Sequence, residues 1–419
     1  MEITQKPGKS IVALVRCDRY DEDLVNTAVA KGIALLGGAE AFFKKGEKIV
    51  LKPNVLVAVH PDHAATTHPA VMGAVMKALQ SFGCKLTCGD SPGFGNPAHA
   101  LKVAGIASVA EKYNVPLADF EHSKRVTHTT GKMLRSFPLV KGVLEADGLV
   151  SVGKFKTHGL VRITGAVKNQ FGCVPGLHKT RYHAKLPVVH DFSQFIVDIN
   201  TFIKPRLYII DAIVAMEGNG PNSGDPKKLG YLLLSADPVA CDATASRIIS
   251  LNPEFVPTCR AGFHSGLGVY HEDRIELVGD PIEAVKDKTF RVVRKPAVSL
   301  DGIGVTAEIK SHLLPRPVIN RANCSRCGRC VEICPVESKA LVWPPERKEN
   351  DLPPVYNYRK CIRCFCCQEI CPSKAISIKK TLLVILLPAV SVGVILRSGI
   401  RFALRQIKRK FSLPGKQSS

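Results

Sequence analysis

The sequence reads CSRCGRCVEICP over residues 324–335 and CIRCFCCQEICP over residues 361–372. Both runs share the spacing Cys-x2-Cys-x2-Cys-x3-Cys-Pro. The first three cysteines of such a run can wrap one face of an iron–sulfur cube, but the fourth lies too far along to close it and ligates the other cube. The spacing therefore predicts two crossed [4Fe-4S] clusters. The first would be held by Cys324, Cys327, Cys330 and Cys371, and the second by Cys361, Cys364, Cys367 and Cys334.

This repeat resembles bacterial two-cluster ferredoxins over residues 318–380, which predicts an α+β ferredoxin-like module at residues 316–380. Two other interpretations fit the cysteines less well. Zinc sites usually use two CxxC pairs, and a disulfide framework is unusual in a chain of 419 residues without a visible secretory signal. Cys366 falls out of step beside Cys367 and is expected to be a bystander next to the cluster.

The composition indicates a basic protein with a sizeable core. The formal net charge is +22, and the hydrophobic content of 45% can fill such a core. The length of 419 residues is enough for two or three domains. We see no RNA- or DNA-binding module and no interleaving of basic and aromatic residues, so the charge favours anionic substrates or lipids over nucleic acid. The cysteines outside the two runs are scattered, as expected for buried thiols in a reducing cytoplasm.

Residues 1–315 show strand-like runs alternating with helical stretches. The predicted strands are Ile11–Val15, Lys48–Leu51, Lys85–Cys88, Gly148–Val152 and Leu207–Ile210, and the predicted helices are Asp21–Leu36, Pro69–Phe82, His99–Tyr113 and Val239–Ile249. This alternation predicts an α/β domain with an open, largely parallel sheet and helices on both faces.

Polar residues follow these predicted strands, where ligands bind in open α/β sheets. They are Lys52 and Asn54, Asp90 in the Gly89–Gly95 loop, the stretch Lys154–Gly159, and Asp211. The sequence therefore predicts a crevice at this edge of the sheet. A Gly-Asp-Ser-Pro-Gly stretch alone is often only a turn. The glycines match neither GxGxxG nor a Walker P-loop, so nucleotide binding is not inferred.

One stretch of this domain is basic without interruption, since no Asp or Glu occurs between Asp147 and Asp191. Its polar residues are Lys154, Lys156, His158, Arg162, Lys168, Asn169, His178, Lys179, Arg181, His183, Lys185 and His190. A solvated basic face usually contains interspersed acids, whereas glycines and apolar residues fill this one. We interpret it as a wall that binds phosphate or carboxylate, with lysines as point charges and histidines able to move protons. A patch facing an acidic partner and a histidine metal site are the alternatives.

The first domain resembles the family called domain of unknown function 362. The matching residues are Lys52-Pro53-Asn54, Gly89-Asp90-Ser91-Pro92-Gly93, Lys154-x-Lys156-Thr157-His158, Gly165–Gly172, Asp211, Gly220-Pro221 and Asp237-Pro238-Val239-Ala240-x-Asp242. The likeness spans residues 10–290, and members of the family often contain a ferredoxin-like module after this domain, as here. The resemblance implies an iron–sulfur protein with a pocket, but it implies no particular reaction.

Residues 381–419 are predicted to form a hydrophobic and basic tail helix. The uncharged run Thr381–Leu396 has 16 residues, fewer than the roughly 20 that a spanning helix needs. Basic residues then alternate with apolar ones from Arg397 to Phe411, a pattern typical of helices lying on anionic membranes. We therefore expect a peripheral protein on the inner face of the cell membrane. A true span and packing against protein are the alternatives.

Three functions fit these features. In the first, the two clusters exchange single electrons with a small anionic substrate in the crevice, and an external protein donates or accepts them, because no flavin or nicotinamide fingerprint is visible. In the second, the protein is an electron-transfer or sensor subunit docking at a membrane redox complex. In the third, it is a non-redox enzyme with structural clusters. For the first function, the predicted substrate-binding residues are Lys52, Asn54, Lys154, Lys156, Lys168 and Asn169, and the predicted catalytic residues are His158, His183, Asp90 and Asp211.

Overall fold

The computed structural model describes residues 9–176, 178–297, 314–346 and 352–379. Met1–Ala297 and Pro317–Ile378 belong to one compact unit, and Val298–Arg316 with Lys379–Ser419 form a second. Nearly all of the second unit lies outside the described residues. The tail helix predicted for residues 381–419 lies there too.

The described chain contains fourteen strands and eleven α-helices. The strands are β1 Ser10–Arg16, β2 Lys48–Lys52, β3 Lys85–Cys88, β4 Ser123–Thr127, β5 Ser136–Val140, β6 Gly148–His158, β7 Arg162–Thr164, β8 Leu207–Glu217, β9 Asp225–Ser235, β10 Ile275–Gly279, β11 Arg316–Ile319, β12 Leu341–Val342, β13 Val355–Tyr356 and β14 Ile376–Lys379. The helices are α1 Glu22–Leu35, α2 Pro69–Phe82, α3 Pro97–Val103, α4 Ile106–Lys112, α5 Lys141–Leu144, α6 His178–Lys185, α7 Val189–Ile203, α8 Pro238–Ile248, α9 Pro257–His264, α10 Arg329–Glu332 and α11 Cys366–Glu369. A 3₁₀ helix, Val167–Cys173, matters for the site described below.

The main sheet has eight strands in the order β10-β1-β9-β8-β6-β2-β3, with β7 paired to β6. Four neighbouring pairs are parallel: β1–β10, β6–β8, β2–β6 and β2–β3. The strand β9 runs antiparallel to both β1 and β8. The predicted open, largely parallel sheet is therefore confirmed, with β9 and the short β7, which is antiparallel to β6, as its reversed strands.

Both faces of this sheet are covered, as predicted. Alternate residues of β1 enter two different cores, because successive side chains of a strand point to opposite faces. Val12 and Leu14 pack in the core that contains residues of α7, α8 and α9. Ala13 and Val15 pack in the core that contains residues of α1 and α2.

Some elements were not predicted, notably the helix α7 and the strand β9, and the predicted elements differ from the structure in two places. The strands β6 and β8 are longer than predicted, because β7 and β9 supply backbone partners to their extensions. As a result, Lys154, Lys156, His158 and Asp211 lie in strands and not in loops. The single helix predicted for residues 99–113 is two helices, α3 and α4, because Gly105 adopts a φ of 72° between them.

In the cysteine-rich module, β11 pairs with β14 and β12 pairs with β13. The two cysteine runs have the same backbone pattern. Arg326 and Arg363, each two residues after the first cysteine, have φ values of 54° and 61°. Two residues later, Gly328 and Phe365 are also left-handed and directly precede the one-turn helices α10 and α11. Among the residues described, we find no helix with the length and apolar character to cross a membrane.

Candidate ligand crevice and iron–sulfur centre

A small open crevice lies at the carboxyl ends of β2 and β6, beside the loop that follows β3. The ends of parallel strands meet at one edge of the sheet, so residues far apart in sequence converge there. The predicted site residues that line the crevice are Asn54, Asp90, Lys156, His158, Lys168 and Asn169. Polar residues that we did not assign to the site also line it, namely Ser91, Thr164, Lys179 and Glu369.

Lys52 lies beneath the crevice and does not line it. Its ammonium donates to the carbonyl oxygen of Pro53 at 2.9 Å and to Oδ1 of Asn169 at 3.1 Å. It also pairs with Asp90 at 2.8 Å. A lysine ammonium has three N–H groups, so these partners use all of them. Lys52 therefore holds the crevice floor in place and has no donor left for a ligand.

Asp90 is occupied in the same way. Its Oδ2 accepts from the Val55 N–H at 2.6 Å, and its Oδ1 accepts from the Ser91 N–H at 2.9 Å as well as from Lys52. A Cβ atom at Gly172 would lie 2.3 Å from this Oδ1, so only glycine lets the chain pass so closely. These contacts suit Asp90 to bracing the loop more than to the catalytic role predicted for it, which was to orient the substrate or a metal.

Two lysines of the crevice wall are only partly used by internal hydrogen bonds. The Lys156 ammonium donates to the carbonyl oxygen of Ala65 at 2.6 Å. The Lys179 ammonium donates to the carbonyl oxygens of Ser91 and Pro92 at 2.8 and 3.1 Å. Counting three N–H groups per ammonium, Lys156 retains two donors and Lys179 retains one.

The Lys168 ammonium lies 4.6 Å from the ring centre of Phe171 and 5.9 Å from that of Phe192. It makes no hydrogen bond to any part of the chain that the structure describes. Burial lowers the pKa of the crevice ammoniums, to about 7 for Lys156 and Lys179 and to about 8 for Lys168. A bound anion would favour their charged forms.

His158 faces an acidic residue of the cysteine-rich module. Its Nδ1 accepts from the Leu160 N–H at 3.1 Å, so its proton is on Nε2, which lies 3.3 Å from Oε1 of Glu369. Burial, then the charge of Lys168, holds the pKa of His158 well below its usual value. Burial raises the pKa of Glu369 to about 7, although Lys168 and Lys156 oppose this shift. A neutral imidazole thus presents an N–H to the crevice.

Lys154 and Asp211, both predicted site residues, do not line the crevice. Their charged groups pair at 3.0 Å. The Tyr20 hydroxyl lies 2.7 Å from the Lys154 ammonium and donates to Asp211 at 2.8 Å. The backbone N–H of His68 also donates to Asp211. This buried network joins β6 to β8 and satisfies its own charges.

His183, predicted as a proton carrier, also lies away from the crevice. Its ring stacks on Phe192 with 4.2 Å between ring centres and meets Phe171 edge-on at 5.7 Å. Burial, then the charge of Lys168, lowers its pKa to about 3. The ring is therefore neutral, and it supports the aromatic residues behind the Lys168 side chain.

In the cysteine-rich module, one cavity of about 320 Å³ is lined by the four cysteines predicted for the first cluster, Cys324, Cys327, Cys330 and Cys371. Cys371 comes from the second run. Burial, then repulsion by its cysteine neighbours in this cavity, raises the pKa of the Cys330 thiol to about 12. Four thiols that line one cavity fit a [4Fe-4S] cluster. Within the described ranges, no three His, Cys, Asp or Glu side chains could hold a single metal ion.

The other three cysteines of the second run also lie near one another. Burial, then the charges of Cys364 and Cys361, raises the pKa of Cys367 well above its usual value. The Tyr356 hydroxyl donates to Sγ of Cys367 at 3.3 Å, the kind of contact that tunes a cluster sulfur. Cys334, the predicted fourth ligand, is half-buried just beyond α10.

Comparison with known proteins agrees with both halves of this description. A family model described as domain of unknown function (DUF362) matches residues 49–247, and one for a 4Fe-4S dicluster domain matches residues 316–372. The Thylakoid-associated protein sll1697 from Synechocystis sp. is 32% identical over 277 residues, covering 66% of this chain and 86% of that protein. The chain belongs to the DUF362 family. The family predicted from the motifs is therefore confirmed, together with the 4Fe-4S module.

A solved structure, the lactate racemase apoprotein from Thermoanaerobacterium thermosaccharolyticum, superposes with a TM-score of 0.38 and 14% sequence identity. The match covers 60% of this chain and 59% of that one.

The dicluster module packs directly on the DUF362 domain at the crevice. Nε2 of Gln368 donates to the carbonyl oxygens of Asn219 at 2.7 Å and Gly220 at 3.2 Å. Beside this contact lies an apolar cluster drawn from both parts of the chain, namely Val57, Ile333, Cys366 and Ile370. Glu369 follows Gln368 and reaches the crevice. The crevice is thus built from the DUF362 domain and covered in part by the segment between Cys367 and Cys371.

Two charged crevice residues, Lys179 and Glu369, are absent from the predicted substrate-binding and catalytic residues. Lys179 lies within the basic stretch that we interpreted as an anion-binding wall, so the sequence did indicate it. Glu369 lies inside a cysteine run, where both repeats read Cys-x-Glu-Ile-Cys. Nothing in that pattern distinguishes Glu369 from Glu332, which is exposed.

Proposed function

We propose that this DUF362 protein is a redox protein whose dicluster module exchanges electrons with a small anionic substrate held in the crevice. One observation carries the proposal. Glu369, which is two residues from both Cys367 and Cys371, lines the same crevice as Lys156 and Lys168. A ligand bound to these lysines would therefore lie against the segment that holds a cluster.

Two [4Fe-4S] clusters would be held in the crossed arrangement. The first would use Cys324, Cys327, Cys330 and Cys371, and the second Cys361, Cys364, Cys367 and Cys334. When bound, such clusters supply or accept single electrons. Burial of the thiols and the hydrogen bond from Tyr356 to Cys367 would tune their potentials.

The residues of the DUF362 domain would bind and orient the substrate. The ammoniums of Lys156 and Lys168 supply charge, and Oδ1 of Asn54 supplies a directed polar contact. Asn169 holds the Asn54 amide in place, since its own amide groups are all used within the protein. His158 holds a proton on Nε2 at the crevice wall, where it can be shared with a bound group. Charge pairing in this enclosed place is stronger than at an exposed surface.

The test is a substitution that removes one positive charge from the crevice, Lys168→Gln, in full-length protein purified without oxygen. Removing a charged hydrogen-bond donor should weaken orthophosphate binding, measured by titration calorimetry, by about tenfold or more. Iron content and cluster EPR spectra should not change. The matched control is Lys185→Gln, an exposed residue of the same basic stretch. Equal loss in both variants, or no loss in Lys168→Gln, would contradict the proposal.

The proposal includes an external electron donor or acceptor protein. The sequence contains no flavin or nicotinamide fingerprint, so electrons must come from or go to another protein. Cys327, one of the predicted ligands of the first cluster, is exposed, which supports exchange at the surface. EPR spectra recorded after mixing with a reduced ferredoxin test this step: the module's signals should appear within the mixing time, and their absence would argue against exchange.

We also propose that the tail, residues 381–419, attaches the protein peripherally to the inner face of the cell membrane. The alternation of basic and apolar residues supports this, and so does the thylakoid association stated in the name of the Synechocystis relative. Full-length protein should float with phosphatidylglycerol vesicles at low salt and should remain unbound with phosphatidylcholine alone. Failure to float with the anionic vesicles would refute the attachment.

A further inference from the structure

Around the crevice, some polar groups make no hydrogen bond within the described structure. Two of them are buried acceptors, Oδ1 of Asn54 and Oε1 of Glu369. The Glu369 oxygen lies 3.3 Å from Nε2 of His158, but outside hydrogen-bond geometry. The Lys168 ammonium is likewise without a hydrogen bond in the described structure. Buried polar groups are normally hydrogen-bonded, so a ligand that suits this crevice must satisfy both kinds of group.

The orientation of the Asn54 amide is fixed by its neighbours. Oδ1 of Asn169 accepts from the Lys52 ammonium at 3.1 Å, which determines which end of the Asn169 amide is the oxygen. Nδ2 of Asn54 donates to that same oxygen at 3.0 Å. Asn54 must therefore turn its own Oδ1 away from Asn169, as an acceptor available to a ligand. This acceptor cannot become a donor by an amide flip without losing a hydrogen bond.

The second acceptor comes from the dicluster module. The side chain of Glu369 is only 13% exposed, and its Oε1 lies 3.3 Å from Nε2 of His158 without a hydrogen bond. Gln368, hydrogen-bonded to the carbonyl oxygens of Asn219 and Gly220, anchors the segment. The Glu369 carboxyl group is therefore held at the crevice by a fixed piece of backbone.

We propose that the crevice selects a small anion that also carries a hydrogen-bond donor. The anionic group would contact Lys168 and Lys156, and the donor, a hydroxyl or an ammonium, would contact Glu369 and Asn54. This rests on the proposed function, which requires only that an anion binds. Hydroxycarboxylates, aminocarboxylates and singly protonated phosphates share this chemistry. Anions that have only acceptors, such as acetate or sulfate, would leave Oε1 of Glu369 and Oδ1 of Asn54 without a hydrogen bond, and these oxygens would repel the anion.

The cysteine repeat provides an internal control for Glu369. Glu332 occupies the same place in the first run, two residues after the third cysteine, but its side chain is exposed. Gln368 corresponds to Val331, which has no side-chain donor. Replacing each glutamate in turn removes a carboxylate at the same position of each cysteine run, but only the replacement of Glu369 alters the crevice.

The experiment is calorimetric titration of full-length, cluster-loaded protein with pairs of anions matched in charge. Glycolate is compared with acetate, and orthophosphate with sulfate at pH 8. In each pair the donor-bearing anion should bind at least tenfold more tightly, since sites built to pair a hydroxyl reject analogues that lack it. Comparing glycine with glycolate shows whether the site prefers an ammonium or a hydroxyl as the donor. Comparing glycolate with orthophosphate shows whether it prefers a carboxylate or a phosphate as the anionic group.

In Glu369→Gln the preference should fall below threefold, with iron content and EPR spectra unchanged, whereas Glu332→Gln should keep it. If Glu369→Gln does not load iron, Asn54→Ala measures the same preference away from the cysteines, and retained preference there overturns the proposal. Equal binding within each pair by the unsubstituted protein overturns it but leaves the proposed function intact. If none of the anions binds, the proposed function itself fails.

Discussion

The Lys156 ammonium is almost completely enclosed, with 1% of the residue exposed, and it has a single internal hydrogen bond. Lys168 lies nearby over an aromatic ring. Burial removes the water that normally stabilises an ammonium, which is why the pKa values of both fall towards neutrality. Two lysines that would be inert charges on a surface thus become groups whose charge depends on pH and on what binds.

Anion affinity should therefore fall as pH rises from 6 to 9. Below pH 7 both ammoniums are mostly charged, and they lose protons as pH passes through about 7 for Lys156 and about 8 for Lys168. Glu369, with a pKa of about 7, becomes negative over the same range and adds repulsion. Dissociation constants for sulfate, whose charge is constant over this range, measure the effect. Lys168→Arg should flatten the profile, because arginine keeps its charge; a flat profile without substitution would contradict this interpretation.

Individual residues also show how far the sequence could predict the site. Lys156, His158, Lys168 and Asn169 could be predicted, because they belong to a basic stretch without acids that follows a predicted strand. Asn54 could be predicted because it follows the predicted strand Lys48–Leu51. Lys154 has the same pattern, but the strand continues past it and its side chain pairs with Asp211. Glu369 could not be predicted, since only the packing of the second cysteine run on the DUF362 domain separates it from Glu332.

Among the structural elements, the 3₁₀ helix Val167–Cys173 controls the position of Lys168 and Asn169. Its first turn is held by Asp242 of α8, whose two oxygens accept from the N–H groups of Ala166 at 2.6 Å and Val167 at 3.1 Å. Burial raises the pKa of Asp242 to about 7. An element with little regular structure of its own is thus positioned by a carboxyl group from a helix across the core.

Asp242→Asn should therefore weaken orthophosphate binding as well as stability. An asparagine can accept from only one side through its oxygen, so one buried N–H loses its partner, at a cost of about 1–3 kcal/mol. Thermal unfolding and calorimetric titration measure the two effects. Asp237→Asn is the control, because Asp237 caps α8 by accepting from Val239 and Ala240 and should affect stability alone. Unchanged affinity in Asp242→Asn would rule out this positioning role.

The two cysteine runs are the elements whose pairing is easiest to test. Crossed ligation predicts that Cys330→Ser and Cys371→Ser remove the same cluster, although the two residues belong to different runs. Cys367→Ser and Cys334→Ser should each remove the other cluster. EPR spectra of the reduced variants should fall into these two groups. Grouping by run, with Cys371→Ser resembling Cys367→Ser, would exclude the crossed arrangement.

The DUF362 domain and the 4Fe-4S module share one crevice, and under the proposed function this has a thermodynamic consequence. The charge of Glu369 acts on the Cys364 thiol. An anion bound beside Glu369 would therefore add negative charge near the cluster that Cys361, Cys364 and Cys367 would hold, and the midpoint potential of that cluster should fall. Reciprocally, reduction should weaken anion binding. For a one-electron couple, each tenfold change in affinity corresponds to about 59 mV.

Redox titration followed by EPR, with and without saturating orthophosphate, should show this shift in one cluster only. A shift on the order of 60 mV is expected from the usual size of coupling between sites. Lys168→Gln should remove most of it. If both clusters move equally, or neither moves, the anion and the second cluster are not coupled as described.

The folds of the α/β domain and the cysteine-rich module were easier to predict than the contacts between them. Alternating strands and helices specify the sheet, and the cysteine spacing specifies the module, because both are local patterns. The reversed strand β9 and the contact of Gln368 with Asn219 depend on tertiary packing between distant residues. No local pattern encodes such contacts.

The cysteines outside the predicted ligand set are all buried: Cys17, Cys84, Cys88, Cys173, Cys241, Cys259 and Cys366. In intact protein these buried thiols should not react with an alkylating reagent, and cysteine sulfurs bound to iron should not react either. Any rapid labelling of folded material would therefore come from sulfurs that oxygen damage has released. The extent of cluster damage in a sample can therefore be measured by mass spectrometry of the alkylated cysteine peptides.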